Sequence, residues 1–462
     1  MNILVINPPN VPFSSSGILI EPIDVLGVAS YIESQGHAVR LLDMDIHKIR
    51  PEQFPLHVRG EDYDVAVILY DYHIPLHCDG TLQAVQAIAR HVKAMEAKVV
   101  VGGKTATYKP SELLFDGSPV DVLLRHEVEP SLKVLLTLDT WTPGTLAGVP
   151  SVSYINKEGR IHSTDRPEKD FDLGELPIPD RAFVDLASYI DVRTLLSSRG
   201  CHMRCDFCHV PGFWGNWRER SAGTVADEIE LLVQQHHAKK ILFLDDNAIV
   251  NRQRMKELCE ILIERNIKVA MGCLGSLDRF DDAMMELMHK AGFRWIHYGV
   301  ESGDDRLLKT IHKRTDARTA LQIVQKTKAI GFRVRTSWIM DLPSSTEGEL
   351  QHTADLILEM GSEEIRLHHL AIRMGSRIYD DHSDLVSTQY IHQGAQNQNL
   401  CEVSPDRIQK TVETVTNTLE TRGYAVVHHP DEFIDLDVLT QRSDALKIVS
   451  LCPLRYGLGW VH

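Results

Sequence analysis

Two blocks of the chain alternate short apolar runs with amphipathic stretches, and this alternation limits the fold more than any other feature of the sequence. In the first block the apolar runs lie at residues 3–7, 38–43, 65–70 and 98–103, with amphipathic stretches at 24–35 and 82–94. Strands of about four to eight residues that alternate with helices indicate a doubly wound, Rossmann-like parallel sheet. Such sheets bind ligands at the carboxyl ends of their strands.

The second block repeats the pattern on a larger scale. Its apolar runs lie at residues 194–198, 240–244, 269–273, 295–300, 333–340 and 365–371, and helices fit at 225–235, 252–264, 282–291 and 317–329. Six strand–helix units in succession predict an incomplete (β/α)6 barrel, whose chemistry belongs at the carboxyl ends of its strands. The fold class is therefore α/β throughout.

A stretch rich in proline and glycine separates the two blocks. Beyond the second block the periodicity weakens, although residues 405–422 are typical of a helix. We predict a Rossmann-like domain at 1–138, a linker with a small hairpin at 139–188, a partial barrel at 189–384 and a C-terminal region at 385–462.

Charge and cysteine content restrict the environment and the partners. The 462 residues carry 49 Lys and Arg against 64 Asp and Glu, a net charge of −15. An acidic surface repels phosphate backbones and anionic lipid headgroups, so we expect neither nucleic acid nor a membrane as a partner. The N-terminus lacks a basic start and a cleavage site, and eight cysteines are too few for a disulfide scaffold. These features predict a cytoplasmic protein that acts on a small molecule; its oligomeric state stays open.

Three of the eight cysteines fall within eight positions, as Cys201, Cys205 and Cys208. Three thiolates on one tight loop can hold three irons of a [4Fe–4S] cluster, whose usual complement is four cysteines. The fourth iron is then open to a ligand. The alternative is a structural zinc site completed by His202 or His209. The position of the loop directly after the first predicted barrel strand favours the cluster.

This triplet and its spacing resemble the radical S-adenosylmethionine (SAM) superfamily, and the resemblance runs from about residue 190 to 380. It implies that the three cysteines hold the cluster and that the open iron chelates the amino and carboxylate groups of SAM. It further implies reductive cleavage of SAM to methionine and a 5′-deoxyadenosyl radical, with an electron from an external reductant such as flavodoxin or ferredoxin. A scaffold that only carries electrons is the non-enzymatic alternative, and the intact motifs argue against it.

The same resemblance assigns SAM contacts to two strand ends and to one aromatic residue. Phe207, before the last cysteine, would cover the cluster and adjoin the adenine. The stretch 244–247 would receive the methionine amino group, and the stretch 299–303 would receive the ribose and the carboxylate. The residues so assigned are Phe207, Asp245, Asp246, Asn247, Glu301 and Ser302.

The N-terminal block resembles the cobalamin-binding subclass of this superfamily, through Asn7-Pro8-Pro9 and Val101-Gly102-Gly103 among others. It also departs from the subclass pattern. Lys104-Thr105 stands where Pro-His is usual, and His126-Glu127-Val128-Glu129 stands where Gly-Glu-Gly-Glu is usual. The added side chains would fill space that a corrin tail needs. Two alternatives follow: a domain that binds cobalamin, and a scaffold that has closed its pocket.

Two reactions fit these features. One is radical dehydration of a small polyhydroxylated substrate such as an aminoglycoside, since radical SAM dehydratases of aminoglycoside sugars resemble this architecture. The other is cobalamin-dependent methylation of an unactivated carbon in natural-product biosynthesis. The lost glycines, the chain length and the negative charge favour dehydration.

Dehydration needs a base near the carbon that loses hydrogen and an acid for the departing hydroxyl. Three candidates lie at predicted strand ends: His297, Asp341 and His368. Asp341 stands where the family has the glycine of a Gly-Leu-Pro turn, so it replaces a residue without a side chain by a titratable one. Alternate strand residues share a face, which groups His297 with Glu301 and His368 with Arg366.

Overall fold

The structure, a computed structural model, describes residues 1–9, 20–72, 79–383, 395–396, 400–428 and 447–452. It divides into two compact units. The first holds Met1–Tyr189 together with Phe213–Gly215, and the second holds the described remainder of the chain. The segment 139–188, predicted as a linker, is therefore part of the first unit. None of the described helices is long and apolar enough to cross a membrane.

The first unit is built on one seven-stranded sheet. Its strands are β1 (Asn2–Asn7), β2 (Ala38–Asp43), β3 (Val65–Leu69), β4 (Lys98–Gly102), β5 (Val122–Leu124), β6 (Val152–Ile155) and β7 (Ile161–Ser163). Its helices are α1 (Ile23–Ser34), α2 (Phe54–His57), α3 (Asp79–Ala94), α4 (Lys104–Tyr108), α5 (Glu129–Leu135) and α6 (Pro143–Leu146). The strand order is β2-β1-β3-β4-β5-β6-β7. The first five strands are parallel, and the hairpin β6–β7 adds two antiparallel strands. The Rossmann-like prediction is confirmed.

The second unit contains an eight-stranded sheet and two small two-stranded sheets. Its strands are β8 (Arg193–Leu195), β9 (Ser198–Arg199), β10 (Arg218–Glu219), β11 (Lys240–Phe243), β12 (Ala270–Gly275), β13 (Phe293–Glu301), β14 (Arg333–Ile339), β15 (Glu364–His368), β16 (Ala371–Ile372), β17 (Ala395–Gln396), β18 (Tyr424–His428) and β19 (Lys447–Cys452). Its helices are α7 (Val210–Trp214), α8 (Ala222–Gln234), α9 (Arg252–Glu264), α10 (Asp282–Ala291), α11 (Asp305–Thr310), α12 (Ala317–Ile330), α13 (Glu347–Met360), α14 (Arg377–His382) and α15 (Pro405–Thr421). Residues 213–214 of α7 pack with the first unit.

The large sheet has the order β18-β19-β15-β14-β13-β12-β11-β8. The six predicted strands lie side by side in sequence order and are all parallel, which confirms the partial radical SAM barrel. Strands β19 and β18 extend the sheet beyond β15, and the sequence pattern did not predict them. Their pairing with β15 joins segments far apart in the chain, so no local pattern indicates it.

Strand alternation separates an apolar face from a polar one. On β15, Ile365 and Leu367 belong to the main apolar core, which the helices of this unit cover. The intervening Glu364, Arg366 and His368 therefore face the interior of the barrel.

Candidate functional site

The cysteine loop lies between β9 and α7 and is held at both ends. Gly200 enters it with φ +85°, and a Cβ there would lie 3.0 Å from the Asn216 carbonyl oxygen, so a glycine is needed. The Asp206 amide donates to the Ile311 carbonyl at 3.2 Å, and the Asp206 carboxylate lies 2.8 Å from Nδ1 of His312. None of Cys201, Cys205 and Cys208 forms a disulfide.

The zinc alternative finds no ready ligand set in this loop. The Nε2 of His202 lies 2.8 Å from Oδ2 of Asp278, and this hydrogen bond raises the pKa of His202. In the ranges that the structure describes, no three His, Cys, Asp or Glu side chains group closely enough to hold a single metal ion. Three thiols of one anchored loop fit a cluster, which spreads its ligands over separate irons.

Two of the three residues predicted to receive the methionine amino group hold the cysteine loop, and their SAM contacts stay predictions. Asp245 is fully buried, and its carboxylate accepts hydrogen bonds from Ser197 Oγ at 2.8 Å, from the Ser197 amide at 3.2 Å and from the Ser198 hydroxyl. Asp246 accepts from the Gly200 amide at 3.1 Å. These carboxylates fix the strand that leads into the loop.

Asn247 lies beside the first cysteine. Its Nδ2 donates to Ser276 Oγ at 2.8 Å and lies 3.7 Å from Cys201 Sγ. The residue is only 2% exposed, and among the described residues its Oδ1 has no hydrogen-bond partner. Because a buried acceptor without a donor costs free energy, this oxygen fits an ammonium group bound beside the loop. The structure therefore fits a SAM amino group at Asn247.

The predicted stretch at the end of β13 contains a buried ion pair. The register with β14 shifts between Gly299 and Glu301, and Glu301 takes a φ of +73°. Its carboxylate accepts from Lys313 Nζ at 3.1 Å, and the two side chains are 10% and 11% exposed. The shift interrupts the strand alternation that grouped His297 with Glu301.

Lys313 is a residue that the sequence analysis missed. Burial would lower the pKa of Lys313, but the charges of Glu301 and Cys205 raise it above its ordinary value. A nearly buried cation beside the cysteine loop suits the carboxylate of SAM. The sequence feature that could have indicated Lys313 is the basic run 312–314, directly after α11. This run matches none of the motifs considered above.

Ser302 and Phe207 have packing partners. The Ser302 hydroxyl lies 3.2 Å from the Thr353 hydroxyl and accepts from the Asp304 amide at 3.1 Å, so this buried residue shapes the turn before α11. Phe207 packs against an apolar cluster that includes Leu307 and Ile311. Their SAM contacts stay predictions.

His297 and His368 belong to one group inside the barrel. The Nε2 of His297 lies 2.6 Å from Ser337 Oγ. Burial lowers the pKa of His297 well below its usual value, and the charges of Arg335, Arg366 and His368 lower it further. His297 is therefore neutral near pH 7 and can accept a hydrogen bond or a proton from a hydroxyl group.

Asp341 forms a second group, with a partner that the sequence did not indicate. Its Oδ2 lies 3.0 Å from Nδ1 of His369, and its Oδ1 accepts from the Leu370 amide at 2.6 Å. Burial would lower the pKa of His369, but the hydrogen bond to Asp341 and its negative charge raise it. An imidazole whose pKa is raised in this way can, when protonated, donate a proton to a leaving hydroxyl.

The carboxyl ends of β3, β4 and β5 are closed by side chains of the first unit. Lys104 is buried, and its Nζ donates to the carbonyls of Asp71 and Tyr72 at 3.1 Å. Its ammonium lies 5.2 Å from the centre of the Phe213 ring. The Tyr72 ring meets both Phe213 and Trp214 edge to face, with centroids 5.9 and 5.5 Å away.

Backbone groups at this edge are also satisfied internally. The buried Asp71 carboxylate accepts from the Lys104 amide at 2.6 Å and from the Thr105 hydroxyl at 2.7 Å, at the start of α4. A Cβ on Gly102 would lie 2.9 Å from Val128 Cγ1. Where a corrin tail needs open space beside glycines, the described residues of this edge pack against each other. They do not fit bound cobalamin.

His126, at a position where the subclass has glycine, takes a φ of +59° and sits beside Arg166. Burial lowers the pKa of His126 to about 3, and the charges of Arg166 and Arg125 contribute. Because the unfolded pKa is about 6.5, protonation favours the unfolded state, and stability falls as the pH drops below that value. Between pH 7 and pH 5 we expect the wild type to lose about 1–2 kcal/mol more unfolding free energy than His126→Asn. Urea unfolding at both pH values measures this, and equal losses would contradict it.

Comparison with known proteins gives a family match within each of the two units. Residues 195–357 match the radical SAM superfamily, and residues 10–136 match the B12 binding domain. A structure of the cobalamin-dependent SAM radical enzyme OxsB, with aqua-cobalamin and SAM bound, covers 91% of this chain and 67% of that chain at a TM-score of 0.72 and 16% identity. The radical SAM methyltransferase TsrM from Kitasatospora setae covers 83% of this chain and 78% of that chain at a TM-score of 0.69 and 17% identity. These likenesses show the fold.

Curated relatives are distant in sequence. An uncharacterized methyltransferase of Pyrococcus horikoshii is 25% identical over 55% of this chain and 56% of its own length. An anaerobic magnesium-protoporphyrin IX monomethyl ester cyclase of Rubrivivax gelatinosus is 27% identical over 55% of this chain and 47% of its own length. The chain thus spans about half the length of these relatives. The two family matches, with the fold that they share with OxsB and TsrM, establish that the chain belongs to the radical SAM superfamily, in the subclass with an N-terminal B12-binding-type domain, and that its cofactors include a [4Fe–4S] cluster and SAM.

Proposed function

We propose that this chain is a radical SAM enzyme that abstracts hydrogen from a small polyhydroxylated substrate and dehydrates it without cobalamin. The observation that carries the cobalamin-free part is the packing at the described edge of the first unit, where Lys104 is buried against Asp71, Tyr72 and Phe213 and where Val128 lies close to Gly102.

The second unit holds groups of the right kind for the methionine end of SAM. Cys201, Cys205 and Cys208 would hold the cluster, Asn247 Oδ1 would accept from the amino group, and Lys313 would bind the carboxylate. When bound, the cluster and SAM together supply a 5′-deoxyadenosyl radical, at the cost of one electron from a reductant. The residues of the chain orient SAM and the substrate for hydrogen transfer.

Dehydration assigns a proton task to each of the two interior groups. After a carbon that carries a hydroxyl has lost hydrogen to the radical, His297 takes the proton of that hydroxyl. The Asp341–His369 pair gives a proton to the neighbouring hydroxyl, which leaves as water. The remaining carbon radical next to the new carbonyl takes an electron and a proton from the reductant, so that 5′-deoxyadenosine is released as a co-product. His368 and Arg366 would bind further hydroxyl groups of the substrate.

The interior charges refine the substrate class. On the polar face of β14 and β15, Arg333, Arg335 and Arg366 accompany a single carboxylate, Glu364, which pairs with Arg333 at 2.6 Å and with Arg335 at 2.5 Å. The excess of acidic residues that gives the chain its net charge of −15 therefore does not lie on this face. The net charge gives no argument for a polyamine substrate in the barrel. Substrate hydroxyl groups can accept hydrogen bonds from arginine and histidine, and this match supports a polyhydroxylated substrate.

Methyl transfer to carbon is the second candidate, and the comparisons favour it over dehydration. The B12-binding match over residues 10–136 and the methyltransferase names of several relatives support it, among them TsrM and a hopanoid C-2 methylase of Rhodopseudomonas palustris. No relative named here is a dehydratase. Cobalamin-dependent methylation would require the first unit to open the edge that its side chains fill.

Product analysis separates the two reactions. Reconstituted protein is incubated anaerobically with trideuteromethyl-SAM, hydroxocobalamin, a chemical reductant and a panel of aminoglycosides and neutral sugar alcohols, and products are identified by mass spectrometry. Dehydration predicts 5′-deoxyadenosine together with a product lighter by one water. A product heavier by a trideuteromethyl group would overturn dehydration in favour of methyl transfer. Asp341→Asn serves as the matched variant, with SAM cleavage retained and dehydration slowed about 100-fold.

A further inference from the structure

The first cysteine of the triplet is contacted by a buried side-chain amide. Asn247 lies in the connection that follows β11, and its Nδ2 is 3.7 Å from Cys201 Sγ, within hydrogen-bond reach of a sulfur atom. The asparagine is buried, so little water screens this contact. In such surroundings an N–H group stabilises negative charge on a sulfur more strongly than it would in solvent.

The amide is oriented by the turn that follows β12. Its Nδ2 donates one of its two hydrogens to Ser276 Oγ at 2.8 Å, which leaves the second hydrogen for Cys201. The Asp278 carboxylate bonds the Ser276 hydroxyl and lies 2.8 Å from Nε2 of His202 in the cysteine loop. The turn is therefore fastened to both the amide and the loop, and it holds the Asn247 amide beside the sulfur.

The contact to Cys201 differs in kind from the contact to the last cysteine of the triplet. The Cys208 thiol accepts from the backbone amide of Val210. A backbone N–H is supplied by any residue other than proline at that position, whereas the donor beside Cys201 depends on the side chain at position 247. Position 247 is therefore a place where the sequence itself sets the hydrogen bonding of a predicted cluster ligand.

We propose that the Asn247 amide raises the reduction potential of the cluster by donating a hydrogen bond to its Cys201 ligand. A one-electron reductant adds one electron to the cluster, and no bond forms or breaks in this step. The added negative charge spreads onto the thiolate sulfurs, so an N–H donor at one of them stabilises the reduced state more than the oxidised state. The inference needs only the cluster, and it goes beyond the proposed function because it applies to dehydration and to methyl transfer alike.

The potential is measured by redox titration of the full chain with its cluster reconstituted, followed by electron paramagnetic resonance in the absence of SAM. Asn247→Leu replaces the amide with an apolar side chain of similar size. Asn251→Leu is the matched control, since this asparagine also follows β11 but donates to Glu219 Oε1 at 2.8 Å. Ser276→Ala is a second test variant, which keeps the amide and removes the oxygen that orients it. Iron analysis of each variant distinguishes a changed potential from a lost cluster.

At the midpoint potential of the wild type, the ratio of reduced to oxidised cluster should be about 10-fold lower in Asn247→Leu, a shift of about 59 mV to lower potential for one electron. Ser276→Ala should shift in the same direction by less, and Asn251→Leu should keep the wild-type potential. An unchanged or raised potential in Asn247→Leu with about four irons, or an equal shift in Asn251→Leu, would overturn the inference. If Asn247→Leu did not retain its iron, an unchanged potential in Ser276→Ala would overturn it.

Discussion

Replacing Cys201, Cys205 and Cys208 together with alanine should reduce iron from about four atoms per chain to fewer than one and abolish SAM cleavage. The three thiols lie on one anchored loop, and a [4Fe–4S] cluster that has lost its protein ligands has no other attachment. Iron and sulfide analysis and the yield of 5′-deoxyadenosine measure the effect. Each single alanine variant should also lose SAM cleavage.

Cys259→Ala is the matched control for this experiment. Cys259 lies on α9, is fully buried in the apolar core and is not part of the triplet. Its variant should keep about four irons and SAM cleavage, because alanine suits a helix interior. Retention of iron and activity in any of the triplet variants would show that the cluster is held elsewhere.

Lys313→Met should lower the unfolding free energy by about 3–5 kcal/mol and remove measurable SAM binding. The change leaves the Glu301 carboxylate nearly buried without its cation, and an unpaired buried charge is more costly than the pair. The double variant Glu301→Gln/Lys313→Met should recover most of the stability because it removes both charges. It should not recover SAM binding, since the cation for the SAM carboxylate is still missing.

The matched control is Lys326→Met, which breaks a pair with Asp282 in which both side chains are more than half exposed. Exposed pairs contribute about 0–1 kcal/mol, so stability and SAM binding should change little. Urea unfolding gives the free energies, and equilibrium binding to the reconstituted protein gives the SAM affinity. Normal SAM affinity in Lys313→Met would remove Lys313 from the site, whatever the stability.

The fold was predictable from sequence where its signals are local. Helices α9 and α10 have the predicted bounds, and the six central barrel strands appear in the predicted order. Strands β18 and β19 were missed because a parallel pairing between distant segments leaves no periodic mark. The hairpin β6–β7 was predicted, but its addition to the first sheet depends on pairing with β5.

The site was predictable where chemistry needs a fixed spacing, as for the cysteine triplet. It was less predictable where the partner is distant in sequence. Asp341 is predicted from sequence as a single catalytic carboxylate. In the structure it is hydrogen-bonded to His369, which lies at the end of the next strand. Asp245 is predicted to contact SAM, and the structure adds hydrogen bonds to its carboxylate from the serines at 197 and 198, which the sequence did not indicate. The closure of the first unit by Phe213 and Trp214 depends on residues more than 100 positions after Lys104.

The central claim is that a cluster and SAM act here without a corrin. Protein reconstituted anaerobically is incubated with hydroxocobalamin and desalted, and its iron, sulfide and optical spectrum are measured. The account predicts about four irons per chain and no stoichiometric corrin absorbance. About four irons with stoichiometric retained corrin would contradict the closed pocket and make methyl transfer the leading function.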